Sequence, residues 1–128
     1  MRDEDAARKA QDYFGGRARE YVTSDHRAGS DLEVLEAWAA EAPIGVAVDV
    51  ATGGGHAALR LARHARRVVA LDLTREMVLA AREHLGRGCF AYVRADACAL
   101  PFGSRSIDLV SCRIAPHHFP SIEGFARE

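Results

Sequence analysis

Three carboxylates and a run of glycines are the residues of this chain whose types and spacing could do chemistry. In Val48-Asp49-Val50-Ala51-Thr52-Gly53-Gly54-Gly55-His56-Ala57-Ala58 an apolar stretch takes up a carboxylate, crosses three glycines and passes into an Ala/Leu/Arg pattern of helical spacing. Residues without a β-carbon let the main chain take positive φ and approach another molecule closely. A helix that begins there presents unpaired N–H groups, which favour a polar or anionic group. The corner therefore suits a nucleotide-like ligand, and Gly53-x-Gly55-x-x-Ala58 satisfies the dinucleotide pattern G-x-G-x-x-G/A. A tight βα turn that serves packing alone would use the same glycines. Asp49 adds a second requirement, because a carboxylate in an apolar strand is costly to bury unless it is hydrogen-bonded. It either belongs to a ligand site or accepts from the amides of the loop.

Two further acids fall where strands should end. Asp72 closes Val68-Val69-Ala70-Leu71-Asp72-Leu73, about twenty residues beyond the glycines, a position from which a carboxylate can accept two hydrogen bonds from a ribose diol. A helix-capping role is the alternative, although Thr74 competes for it. Asp96 follows a third apolar run, in Arg94-Ala95-Asp96-Ala97-Cys98-Ala99-Leu100-Pro101-Phe102, and it too could serve only as a cap. His117 and His118 are adjacent and could act as a base or merely orient a loop. Cys89, Cys98 and Cys112 are odd in number and widely spaced, which suits reduced, buried thiols better than zinc or a disulfide framework.

The elements that must position these residues alternate. Ala6 to about Tyr21 favours a helix broken at Gly15-Gly16, and Ser30-Asp31 supplies a cap for Leu32-Glu33-Val34-Leu35-Glu36-Ala37-Trp38-Ala39-Ala40-Glu41-Ala42, in a helix ended by Pro43 and Gly45. Strands are expected at 45–51, 68–73, 90–95 and 107–113, with helices at 56–65 and 75–85. Strands alternating with helices at this spacing imply βαβ units, a parallel sheet and right-handed crossovers. Ligands of such sheets bind beyond the carboxyl ends of the strands, where the glycines and Asp96 lie and where Asp49 and Asp72 close their strands.

Composition sets the outer bounds. With 128 residues the chain is expected to form a single domain around one core. At 48% hydrophobic and 27% charged it has the make-up of a globular protein. No apolar run approaches the roughly 20 residues of a membrane helix, and the charged leading residues do not read as a secretory signal, so a cytoplasmic location is expected. Seventeen basic residues against eighteen acidic ones argue against a nucleic-acid or anionic-membrane surface as the main partner.

Taken together, these segments resemble class I S-adenosylmethionine-dependent methyltransferases, in their ubiquinone/menaquinone-biosynthesis-like small-molecule branch. Asp49 to Gly55 is similar to the family's motif I, with Ala51 in place of the first glycine. Asp72-Leu73-Thr74-Arg75-Glu76-Met77 is similar to motif II. Asp96-Ala97-x-x-Leu100-Pro101-Phe102, Ile107-Asp108-x-Val110 and Ala115-x-His117-His118-Phe119 follow the later motifs. The resemblance implies S-adenosyl-L-methionine as cofactor and a small-molecule methyl acceptor. It places Asp49, Ala51, Gly53 and Gly55 along the methionine and ribose, with Thr52 and Leu73 as further contacts. Asp72 would hold the ribose hydroxyls, Asp96 and Ala97 would read adenine, and Met77 would lie on its face unless it is core. Arg113 would pair with the cofactor carboxylate. The leading segment, from Phe14 to Leu32, resembles a lid, with Tyr21 and His26 as candidate contacts.

In such relatives the sheet order is 3-2-1-4-5-7-6, of which this chain supplies 3-2-1-4. The expectation is therefore an α/β, Rossmann-like domain over 1–128, with lid-like helices in 1–30 and the core in 31–128. It is expected to be truncated, a fragment or half-domain whose fourth strand leaves an apolar edge open to self-association. The rival readings are an NAD-dependent oxidoreductase fragment and a non-catalytic nucleotide-binding or assembly module.

Overall fold

The computed structural model describes residues 30–113 and 121–128. Four parallel strands, β1 Ile44–Val50, β2 Ala65–Asp72, β3 Phe90–Arg94 and β4 Leu109–Cys112, form one sheet in the order β3-β2-β1-β4. Helix α1, Ser30–Ala39, precedes β1; α2, His56–Leu61, joins β1 to β2; α3, Arg75–Leu85, joins β2 to β3; α4, Ile122–Arg127, comes last. The expected alternation and strand order are both present. The expected helix at 6–21 and the lid residues Tyr21 and His26 lie outside the described residues, as do His117 and His118.

Because side chains alternate across a pleated strand, the sheet has two separate cores. One joins Ala47, Val68 and Ala70 to Ala58 and Leu61 of α2 and Ala39 of α1, with Leu85 of α3 packed against it. The other joins Val48, Val50, Val69 and Leu71 to Ala97, with Leu100, Phe102 and Ile107 covering them. Both crossover helices thus lie on the first face, and the segment after β3 folds over the second. Glu36 of α1 accepts from Arg60 at 3.0 Å and Arg63 at 3.0 Å, stapling α1 to the chain around α2. Among the described residues no helix is long and apolar enough to cross a membrane.

Element ends differ from expectation for local reasons. Helix α1 stops at Ala39 and closes with a tighter turn, Glu41 N–H to Trp38 C=O at 3.1 Å, several residues before Pro43. Helix α2 is one and a half turns, shorter than expected, because the bonds from Arg63 and His64 reach only three residues back. β2 consequently starts at Ala65, level with Ile44 of β1, and includes the exposed Arg66 and Arg67. β4 is shorter than 107–113, since Asp108 turns its carboxylate back to accept from the N–H groups of Gly45 at 3.0 Å and Val46 at 2.9 Å. Thr74 caps α3 as expected, its hydroxyl accepting from Met77 N–H at 3.1 Å. Cys89, Cys98 and Cys112 are half-buried thiols rather than the buried ones expected.

Candidate functional site

The turn after β1 takes the backbone shape its sequence suggests. Ala51 has φ 54°, Gly53 φ 54° and Gly55 φ 82°, all in the left-handed region. Gly55 occupies the cap position of α2 with no side chain to satisfy the helix's first N–H groups. A β-carbon there would stand 2.7 Å from Leu85 Cδ1, so packing as well as φ selects glycine. The loop is also held from behind: His84 Nδ1 lies 2.6 Å from the Gly54 carbonyl oxygen, and the His84 ring meets His56 edge-on with centroids 5.1 Å apart. Spacing gave no indication of His84, which comes from a different βα unit.

Asp49 accepts from two hydroxyls, and the Ala58 amide of α2 also favours its charge. Oδ2 accepts from Thr52 Oγ1 at 2.8 Å, and Oδ1 accepts from Ser111 Oγ at 2.7 Å. Parallel register explains the second contact, because Ser111 of β4 is paired with Asp49 of β1 and side chains of paired residues share a face. Burial pushes the Asp49 carboxyl up to about 6, against the pull of Ser111 and Thr52, and the charge of Asp72 adds to the rise. Sequence reasoning missed Ser111, whose only signal is its place in the register.

The loops after β1, β2 and β3 are tied to one another. Thr52 N–H donates to Leu71 C=O at 2.9 Å, Gly53 N–H to Asp72 Oδ2 at 3.0 Å, and Ala95 N–H to Asp72 C=O at 2.9 Å. Asp72 Oδ1 accepts from Leu73 N–H at 2.8 Å, so the carboxylate bonds to amides while Thr74 does the capping. Its carboxyl is raised by burial, against the lowering effect of the Gly53, Leu73 and Thr74 amides. Each oxygen retains lone-pair capacity for a further donor.

The remaining expected residues are spread around this cluster. Asp96 Oδ1 accepts from Cys98 N–H at 2.8 Å, and Ala99 N–H returns to Asp96 C=O at 3.0 Å, so this acid shapes its own turn. Ala97, beside it, is buried against Val50 and Leu71. Met77 is 3% exposed in the first turn of α3, a core position. Arg113, just past β4, forks onto Asp31 at the start of α1: Nε donates to Oδ2 and the second nitrogen to Oδ1 at 3.3 Å. Cys112 is pushed up to about 12, mainly by burial and further by the charges of Asp49 and Asp72. It is no nucleophile at neutral pH.

Comparison with known proteins identifies the family. A family model described as methyltransferase domain matches residues 48–128. The uncharacterized methyltransferase YcgJ of Bacillus subtilis strain 168 is 32% identical over 84 residues, covering 63% of this chain and 33% of that protein. A crystal structure of a protein of Bacillus halodurans C-125, described as a methyltransferase, superposes with a TM-score of 0.69 at 43% identity, over 76% of this chain and 43% of that one. The magnesium protoporphyrin IX methyltransferase of Synechocystis PCC 6803, crystallised with bound SAM, shares the fold at a TM-score of 0.72 and 23% identity, over 94% of this chain and 67% of that one. The chain thus spans about a third of YcgJ and less than half of the Bacillus halodurans protein. With strand order, glycine corner and family match in agreement, the chain belongs to the methyltransferase domain family.

Proposed function

We propose that this chain carries the cofactor-binding part of an S-adenosyl-L-methionine-dependent methyltransferase that acts in the cytoplasm on a small-molecule acceptor. The observation that carries this reading is the bonding of the β1, β2 and β3 exits to one another through Thr52, Gly53, Asp72 and Ala95. Such a cluster suits a ligand that needs a diol acceptor, a bare backbone and a base-reading loop on adjoining strand exits. The residues fit the group: the positive φ at Ala51, Gly53 and Gly55 opens the corner, and Asp72 holds two amides with acceptor capacity to spare.

In this reading Asp49, Ala51, Thr52, Gly53 and Gly55 line the methionine and ribose, Asp72 and Leu73 hold the ribose, and Asp96 and Ala97 read adenine. Met77 supports the adenine side from within the core. The bound cofactor supplies an electrophilic methyl group on a sulfonium. The protein's contribution is to hold an acceptor in line with that methyl group and exclude water, where positioning supplies much of the acceleration. Tyr21 and His26 are proposed lid contacts, and His117 and His118 are proposed as candidates for any base the acceptor needs. Arg113 would pair with the cofactor carboxylate through donors beyond the two that it gives Asp31. Self-association through the open β4 edge is part of the same proposal.

Calorimetry tests the cofactor assignment. S-adenosylhomocysteine is expected to bind and NADH to fail, and Asp72→Ala is expected to weaken binding by about 1–3 kcal/mol, the range of a lost charge-assisted hydrogen bond. Binding of NADH in preference would favour the oxidoreductase reading. Undiminished affinity in Asp72→Ala would remove the ribose assignment.

A further inference from the structure

The Asp49 carboxylate is bonded on both sides to hydroxyls from different strand exits, Thr52 in the glycine corner and Ser111 in β4, 62 positions away from it. Across the sheet the same face carries Tyr92, Ala70, Asp49 and Ser111 in one register row. Ala70 on one side of Asp49 offers no polar group, so Ser111 is the hydroxyl that the register delivers. Asp49 is 2% exposed and Ser111 6% exposed, which excludes water as a ready substitute for either bond. Thr52 is the hinge between strand and glycines: its N–H is held by Leu71 C=O at 2.9 Å and its C=O accepts from Gly55 N–H at 2.8 Å. Fixing the Thr52 side chain therefore fixes the residue from which the corner is built.

We propose that Ser111 is a positioning residue for cofactor binding, its hydroxyl acting through Asp49 on Thr52 so that the tip of β4 sets the shape of the glycine corner. The inference deepens the proposed function and rests on that reading. Both hydroxyls donate to Asp49, which requires the ionised carboxylate; a protonated carboxyl keeps one full acceptor and becomes a donor at the other oxygen, so one end of the bridge must reverse. Burial already opposes ionisation, and loss of the Ser111 donor removes a counterweight. Among the described residues, the ionisable groups facing this carboxylate are Asp72 from β2, whose charge raises it, and the Cys112 thiol from β4, which is neutral over this range. From α2 the first titratable residue is His56, packed edge-on against His84.

The test is calorimetric titration of the chain with S-adenosylhomocysteine from pH 5 to pH 8, with backbone amide exchange of Gly53 and Gly55 in the unliganded chain. Ser111→Ala is expected to weaken affinity at neutral pH by about tenfold, the equivalent of one weak charge-assisted hydrogen bond. It is also expected to move the acid loss of binding to higher pH and to speed exchange at both glycines, whereas Ser111→Thr restores all three. Asp72 titrates in both proteins and so leaves the difference between them untouched. If Ser111→Ala lowers thermal stability while affinity, acid midpoint and glycine exchange match the wild type, Ser111 is structural only and the proposal is overturned. Should Ser111→Ala fail to fold, Thr52→Val breaks the other end of the bridge; an unchanged acid midpoint there overturns it equally. A wild-type chain that binds no S-adenosylhomocysteine would refute the proposed function, and glycine exchange alone would then decide the bridge.

Discussion

Gly55→Ala is the substitution whose cost follows most directly from the geometry of the corner. At φ 82° and ψ 17° the residue is left-handed, where a β-carbon crowds its own carbonyl at a cost of about 1–2 kcal/mol. The added carbon would also stand 2.7 Å from Leu85 Cδ1 and 3.0 Å from its Cγ. Overpacking typically costs about 1–3 kcal/mol, and the lower end applies here because Leu85 is half-buried and its tip can rotate. The expected total is about 2–4 kcal/mol, read as a lower urea midpoint at unchanged slope. The two contributions separate in a Leu85→Ala background, which removes the clash and leaves the backbone. There the same glycine substitution should cost about 1–2 kcal/mol. Equal costs in both backgrounds would show that Leu85 does not pack on the corner, and a wild-type cost below about 0.5 kcal/mol would show that the turn is not left-handed.

Ala51 sits at φ 54°, so Ala51→Gly should stabilise the chain by about 0.5–1 kcal/mol, the left-handed relief less the extra freedom of the unfolded chain; urea titration would register any loss instead. The Asp49 carboxyl rises from its ordinary 3.8 to about 6 on folding, so the folded chain takes up a proton that the unfolded chain lacks. The stability it confers is fully present below pH 4 and is lost as pH rises through 6, an effect of about 3 kcal/mol at about 1.4 kcal/mol per pH unit. Asp72 moves in the same direction, while Glu36, held down to about 2 by Arg60, Arg63 and His64, acts oppositely, its share being lost as pH falls through that value. Asp49→Asn should therefore flatten urea stability between pH 4 and pH 6, and an unaltered slope would contradict the burial argument. Val110 is 50% exposed on β4, whose only strand neighbour among the described residues is β1. Val110→Lys should reduce any concentration-dependent association seen by sedimentation, and an unchanged dependence would rule out the β4 edge as its cause.

The elements legible in the sequence are those set by short-range physics. Thr74 could be read as a cap because a hydroxyl at that position reaches an N–H three residues on, and it does. The glycine corner was legible because only a residue without a β-carbon adopts positive φ freely, and Gly53 and Gly55 do. Element ends were less legible: α2 stops at Leu61 and β2 begins at Ala65 because the level of β1 decides how far its neighbour pairs, which outweighs the exposed arginines. Asp49 shows the same limit within the site. Its burial demanded a partner, and the sequence pointed to a ligand or to loop amides; only the register placed the Ser111 hydroxyl beside it.

Sequence by itself determined the alternation of strands and helices, the parallel sheet, the bare corner after β1 and the acids at the strand exits. Each of these follows from side-chain periodicity or from steric limits within a few residues. Tertiary structure alone decided that Ser111 meets Asp49, that His84 reaches Gly54, that Arg113 forks onto Asp31 and that Gly53 N–H bonds to Asp72. Those contacts join residues 19 to 82 positions apart. They depend on strand register and helix placement, which the packing of the whole sheet fixes and no local pattern encodes.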